Sequence, residues 1–307
     1  MTIKDKIKRI AIIGLGLIGG SLAKALKVNQ YYVLGISRKK ETVQSALSAF
    51  AIDEGSIELD KEALNNVDLI FIATPLDLIP KHIEEVGKLV KKEIILTDVG
   101  STKLEICNFA KKVLPSNITF IGGHPMAGTE KAGFAFSDIS LFKNCAWILT
   151  LLGNQTQAVD TLKKIIKEIG AIPLVTSPEK HDEAVALISH LPLLTSIGLC
   201  EMVRNIKDPD LKNLALLLAS SAYRDMTRIG GGNPEMNLNL LTSNLKRLLE
   251  LLPKFKEEIE RILKLVKENP QKLQSNLNEI NKWRSELYNL DGKNNLLIKE
   301  FLLEIKK

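Results

Sequence analysis

An apolar run that turns through Gly-x-Gly-x-x-Gly into a helix constrains this chain more than any other stretch. Ile10-Ala11-Ile12-Ile13 reads as a strand, and Ser21-Leu22-Ala23-Lys24-Ala25-Leu26 reads as a helix. Between them, Gly14 permits a tight turn, Gly16 lets a pyrophosphate approach the backbone, and Gly19 lets the helix pack closely on the strand. The helix N-terminus adds free N–H groups and a positive dipole end. Glycines alone would say little; the flanking strand and helix make this a dinucleotide-binding corner. Gly14, Leu15, Gly16, Leu17, Ile18 and Gly19 are its expected cofactor contacts.

At 307 residues the chain is long for one core, which predicts two domains. Short β runs continue the pattern at Tyr31–Ile36, Leu69–Ala73, Ile94–Asp98, Thr119–Ile121, Ala146–Leu149 and Pro173–Val175. Helical stretches at Ile79–Lys91, Thr102–Val113 and Gln157–Ile169 alternate with them. Such alternation gives a mainly parallel, doubly wound sheet. After Thr176-Ser177-Pro178 the periodicity becomes helical, in Ala184–Leu191, Leu193–Asn205, Leu211–Met226, Leu240–Lys267, Gln271–Tyr288 and Leu296–Ile305. Pro253 and Pro270 are expected to open or break helices. The expected fold is therefore α/β then all-α. A Rossmann-type domain spans residues 1–178, and a helical domain spans 179–307, where so many apolar helices suggest pairing with a second copy.

The net charge of +6, from 42 basic and 36 acidic residues, is spread over both halves, and aromatics are only 5%. That pattern argues against a nucleic-acid-binding stripe. Cys107, Cys145 and Cys200 lie far apart with no metal-type spacing, as expected of thiols in a reducing cytoplasm. No uninterrupted run of ~18 apolar residues suggests a membrane span.

An NAD site usually carries Asp or Glu at the end of the second strand, about 20 residues past the glycines. Here Tyr32-Val33-Leu34-Gly35-Ile36 runs into Ser37-Arg38-Lys39-Lys40. A hydroxyl with adjacent cations suits a 2′-phosphate, with Arg38 also able to stack on adenine. The expected cofactor is NADP, held at that end by Ser37, Arg38 and Lys39. Thr74 and Pro75, just past the third β run, are expected in the same crevice.

Several polar segments could carry chemistry. Asp98-Val99-Gly100-Ser101-Thr102-Lys103 puts Ser101 where a strand end meets the crevice, although a Ser or Thr there also suits a helix cap. Gly122-Gly123-His124-Pro125-Met126-Ala127-Gly128-Thr129-Glu130 crowds glycines around His124, one of four histidines in the chain. Histidine is well matched to proton transfer near neutral pH. His82 falls on a polar helix face and is discounted. Ser189-His190-Leu191-Pro192 sets a histidine inside an apolar helix, where it needs a partner. Ser220–Arg228 leads into Gly230-Gly231-Gly232-Asn233-Pro234-Glu235, and arginines beside such a loop suit a substrate carboxylate. A plain Asp225–Arg228 ion pair is the structural alternative.

In order and content these segments resemble the prephenate and arogenate dehydrogenases of tyrosine biosynthesis over nearly the whole chain. Gly35-Ile36-Ser37-Arg38 and Arg228–Glu235 look most like the NADP-using arogenate branch. The resemblance implies oxidative decarboxylation of a cyclohexadiene without a metal. His124 would take the C4 hydroxyl proton, Ser101 would orient His124 and the nicotinamide, and His190 would steady the substrate or His124. Arg228 would pair with a substrate carboxylate, Arg224 would be a further substrate-binding residue, and Glu130 and Asp225 would join an ionic network at the mouth of the site. Competing readings are a 3-hydroxy acid dehydrogenase of similar architecture and a non-catalytic NADP sensor.

Overall fold

The computed structural model describes residues 7–128, 131–151, 153 and 156–288. Eight strands form one sheet: β1 (Arg9–Ile13), β2 (Tyr32–Ile36), β3 (Glu54–Ser56), β4 (Leu69–Ile72), β5 (Ile94–Asp98), β6 (Ile118–Pro125), β7 (Ala146–Thr150) and β8 (Ile172–Thr176). Their order is β3-β2-β1-β4-β5-β6-β7-β8. All neighbours are parallel except β6 and β7, which pair antiparallel with His124 opposite Ile148.

Five helices cover the sheet: α1 (Leu17–Val28), α2 (Lys40–Ser48), α3 (Ile79–Leu89), α4 (Leu104–Val113) and α5 (Thr156–Glu168). Alternate residues of one strand feed opposite cores, because side chains in a strand alternate between faces. Ile10 and Ile12 of β1 join Leu22, Leu26, Phe71, Trp147 and Leu162 on the face of α1, α2 and α5. Ala11 and Ile13 join Ile72, Ile83, Val86, Leu96 and Ile106 on the face of α3 and α4. A parallel sheet buried on both faces needs near-continuous apolar strands, and β1 and β4 are such strands.

Among the described residues, seven helices follow: α6 (Pro178–Val185), α7 (Leu191–Arg204), α8 (Pro209–Leu218), α9 (Ser221–Thr227), α10 (Pro234–Ser243), α11 (Leu245–Glu268) and α12 (Pro270–Leu287). Four begin with a capping side chain followed by proline: Ser177-Pro178, Asp208-Pro209, Asn233-Pro234 and Asn269-Pro270. The cap oxygen satisfies an orphan N–H, while proline has none to satisfy. Pro270 thus opens a helix as expected. Pro253 does not break one: it sits inside α11 and forfeits a single ladder bond. Leu211–Met226 is not continuous, since α8 and α9 are separated by Ala219 and Ser220. Leu240–Lys267 likewise divides between α10 and α11 at Asn244. The Leu296–Ile305 stretch lies outside the described residues.

Between α6 and α7, Ala186–His190 forms a π-helical turn, with Leu191 N–H bonded to the Ala186 carbonyl. The helix therefore runs on through Ser189-His190-Leu191-Pro192, and the wider turn takes up the proline. The rod Pro178–Arg204 is long and apolar enough to cross a membrane by length and composition. Its buried His181, Asp182 and His190 are nevertheless hydrogen-bonded to other elements of the protein. Packing separates the chain into two units, Met1–Leu245 and Lys246–Lys307.

Candidate active site

The crevice opens beyond the C-terminal ends of β1, β4, β5 and β6. Gly14 adopts φ +100°, and a Cβ there would lie 2.6 Å from the Ala73 carbonyl oxygen. A Cβ on Gly19 would lie 1.9 Å from the Gly14 oxygen, so α1 can pack this closely on β1 only without a side chain. Gly16 instead faces open space, with nothing within 4 Å of its added Cβ. Two cavities meet here and share Gly16, Thr74 and Pro75. One, of about 340 Å³, runs past Gly14 and Leu15 to Ser37, Arg38, Lys39, Thr42 and His82. The other, of about 430 Å³, runs past Leu17 and Ile18 to Ser101 and His124. Where they join, the Thr74 hydroxyl is buried without a hydrogen-bond partner. A bare backbone cradle, an orphaned hydroxyl and a cavity on either side fit an extended dinucleotide.

At the inner end, a buried frame holds β5 and β6 together. Asp98 accepts from the backbone N–H of Gly100 (2.8 Å) and Gly123 (3.0 Å). The Lys103 ammonium binds the Asp98 carboxylate and donates to the Gly123 carbonyl at 2.7 Å. Both side chains are fully buried, so each charge depends on the other. This frame fixes the strand end that carries His124.

His124 has its hydrogen-bond partner on α6. Its Nδ1 lies 2.9 Å from His181 Nε2, and His181 Nδ1 lies 2.7 Å from Asp182 Oδ1. Asp182 also accepts from the backbone N–H groups of Lys103 (2.7 Å) and Leu104 (2.9 Å) at the start of α4. His181 and Asp182 are both 3% exposed. Burial, reinforced by His181, Lys103 and His190 nearby, holds the His124 imidazole well below the usual histidine range.

His190 sits deeper. The Asn244 amide nitrogen donates to the Asp182 carbonyl (2.8 Å) and lies 3.1 Å from His190 Nδ1. The NH2 identity follows from the carbonyl partner, so His190 accepts at Nδ1 and carries its proton on Nε2. Burial pushes His190 down to about 4, against a pull from Asp182 and with a further push from His181. His190 is therefore neutral near pH 7, and it does not line either cavity.

The remaining expected residues divide sharply. Asn233 and Glu235 of the glycine-rich loop line the larger cavity, joined by Met236, Asn239 and Leu240 from α10. Arg224, Asp225 and Arg228 are exposed in the single chain and line neither cavity. Arg224 Nε pairs with Asp225 at 3.0 Å, in place of the Asp225–Arg228 pair that was the structural alternative. Glu130 lies outside the described residues. Ser101 lines the cavity, but among the described residues His181, not Ser101, bonds His124. His181, Asp182 and Asn244 escaped the sequence reading, and His82 lines the cofactor crevice despite having been discounted.

A Rossmann dinucleotide corner with a buried histidine pair at its inner end defines a nucleotide-dependent oxidoreductase site. Residues 22–174 match the family description "Prephenate dehydrogenase, nucleotide-binding domain", and residues 177–282 match "Prephenate dehydrogenase, dimerization domain". The prephenate dehydrogenase of Bacillus subtilis is 36% identical over 261 residues, covering 82% of this chain and 68% of that one. Synechocystis arogenate dehydrogenase superposes with a TM-score of 0.80 at 34% identity, covering 90% of this chain and 98% of that one. Prephenate dehydrogenase from Aquifex aeolicus, in complex with hydroxyphenyl propionate and NAD+, gives 0.84 at 25% identity, with 91% and 98% covered. The chain belongs to the prephenate/arogenate dehydrogenase family. That membership sets aside the 3-hydroxy acid dehydrogenase alternative.

Proposed function

We propose that this protein catalyses the NADP-dependent oxidative decarboxylation of arogenate to tyrosine. The observation that carries this reading is His124 facing a cavity continuous with the dinucleotide crevice. When bound, the nicotinamide would accept the hydride that leaves C4 of the cyclohexadiene ring. His124 accepts the C4 hydroxyl proton as that hydride leaves. A weakly basic imidazole suffices, because the oxygen becomes strongly acidic as its carbon is oxidised. The C1–carboxylate bond then breaks, carbon dioxide departs, and its electron pair aromatises the ring. The phenolate oxygen takes the proton back from His124, so the histidine ends the cycle as it began.

Ser101 lines the same cavity as His124 and suits the reacting end of the cofactor or substrate. At the other end, Ser37, Arg38 and Lys39 suit a 2′-phosphate, and among the described residues no Asp or Glu lines that cavity to bind a ribose diol instead. The substrate carboxylate falls to Arg228 with Arg224, while Asp225 and Glu130 join an ionic network at the mouth of the site. This division keeps a cofactor domain in residues 1–178 and a substrate and dimer domain in 179–307, in a cytoplasmic homodimer. Prephenate is the second reading, favoured by the 36% identity to the Bacillus subtilis enzyme. The two substrates differ only in an amino or keto group on the side chain.

The test is a paired assay of both substrates with both nucleotides. We expect the highest kcat/KM with arogenate and NADP. A higher value with prephenate would exchange the substrate assignment, a higher value with NAD the cofactor assignment, and no turnover of either substrate would end the reading.

A further inference from the structure

We propose that His181, held by Asp182, is a positioning residue that sets the tautomer of His124 and so makes it a proton acceptor toward the cavity. The inference rests on the reading of His124 as the group that takes the hydroxyl proton. It follows from hydrogen-bond direction with His181 as a neutral imidazole. Both Asp182 carboxylate oxygens already receive backbone N–H groups, from Lys103 and Leu104. Asp182 therefore meets His181 as an acceptor, and His181 Nδ1 donates across the 2.7 Å contact. The carboxylate charge faces the positive end of α4, so the doublet needs no imidazolium to balance it. With Nδ1 carrying the proton, His181 Nε2 offers a lone pair, and His124 Nδ1–H donates to it across 2.9 Å. That leaves His124 Nε2 unprotonated. The rings meet edge to face, with centroids 5.1 Å apart.

Without the doublet, nothing would hold the His124 proton on Nδ1. An imidazole with the proton on Nε2 would present a donor to the hydroxyl, which is useless for taking a proton. The doublet also serves the second state. When His124 has accepted the substrate proton, its Nδ1–H still points at an acceptor backed by a carboxylate, which steadies the imidazolium in a buried setting. No proton has to travel further, since the phenolate takes it back from the same Nε2. His190 is set the opposite way by Asn244, with its proton on Nε2. Asp182 and its neighbour Asn244 thus govern the two histidines in opposite senses.

The free protein labelled with 15N-histidine tests this directly, because the chain has only four histidines to assign. We expect His124 to show a protonated Nδ1 and an unprotonated Nε2, and to lose that preference in His181→Phe. A protonated Nε2 on His124 in the unmodified protein overturns the inference without reference to turnover. In kinetics, His181→Phe should lower kcat about 10²-fold with substrate KM and cofactor affinity little changed. His181→Gln should recover much of that loss, because its amide oxygen can accept from His124 Nδ1. Unchanged kcat in a folded His181→Phe, or no recovery with Gln, overturns the positioning role. His124→Asn separates the two readings: normal turnover by that variant defeats the proton-acceptor assignment and leaves the tautomer measurement standing.

Discussion

His190 is an imidazole that folding forces to stay neutral, and the consequence is measurable. Its folded value is about 4 against an ordinary 6.5. Between those values the unfolded chain binds a proton that the folded site refuses, so stability is full above pH 6.5 and falls as pH drops toward 4. The shift corresponds to about 3 kcal/mol at most. His124, also depressed, adds loss in the same direction; His181 acts on both rings, Lys103 on His124 and Asp182 on His190. Urea unfolding at pH 7, 5.5 and 4.5 should show this slope, and His190→Asn should flatten part of it. An equal slope in both proteins would mean that His190 is not the group refusing the proton. The sequence made His124 and His190 visible because glycine, proline and apolar neighbours frame them. His181 was hidden because Glu179-Lys180-His181-Asp182 reads as an ordinary charged helix start. Only the fold shows that α6 turns the histidine and aspartate inward onto β6 and α4.

In the sheet half of the chain, elements that bury many apolar residues were legible, and two that bury few were missed. The strands β1, β4 and β5 announce themselves as apolar runs. β3 is only Glu54-Gly55-Ser56 at the sheet edge, with no apolar residue to mark it. The helix α2 buries only Val43 and Ala46, too few to stand out among its polar residues. Yet the corner between β2 and α2 is where the choice of nucleotide can be tested. Ser37, Arg38 and Lys39 line the outer cavity. Charge-assisted hydrogen bonds to a phosphate contribute about 1.5–3 kcal/mol each. In S37D/R38A, losing two of them and adding a like charge should lower kcat/KM for NADP by about 10²-fold or more. NAD should be spared or improved, because an acid at this position can take the ribose hydroxyls. The ratio of the two kcat/KM values is the readout. An unchanged ratio would move 2′-phosphate recognition away from this corner.

Among the described residues, many apolar side chains stay exposed outside the core. In the 1–245 unit, Leu211, Leu214, Leu217 and Leu218 of α8 are all exposed, as are Ile188, Met202, Met226 and Leu238. Exposed apolar side chains in such number point to an interface. The matching family description for residues 177–282 is a dimerization domain, which makes a second copy the expected cover. Leu214 and Leu218 are one helical turn apart and project to the same side. Burying a leucine contributes about 1.5–3 kcal/mol, and a two-fold interface counts each position twice. L214E/L218E should therefore cost about 6 kcal/mol of association or more, raising the dimer dissociation constant by at least about 10⁴-fold. Sedimentation velocity at micromolar protein should show a dimer for the unmodified chain and a monomer for the variant. Because both side chains are exposed in the single chain, circular dichroism of the variant should stay native-like at room temperature. Dimers in both proteins would put the interface on another face. A monomer in both would overturn the assignment of these exposed leucines to a dimer interface.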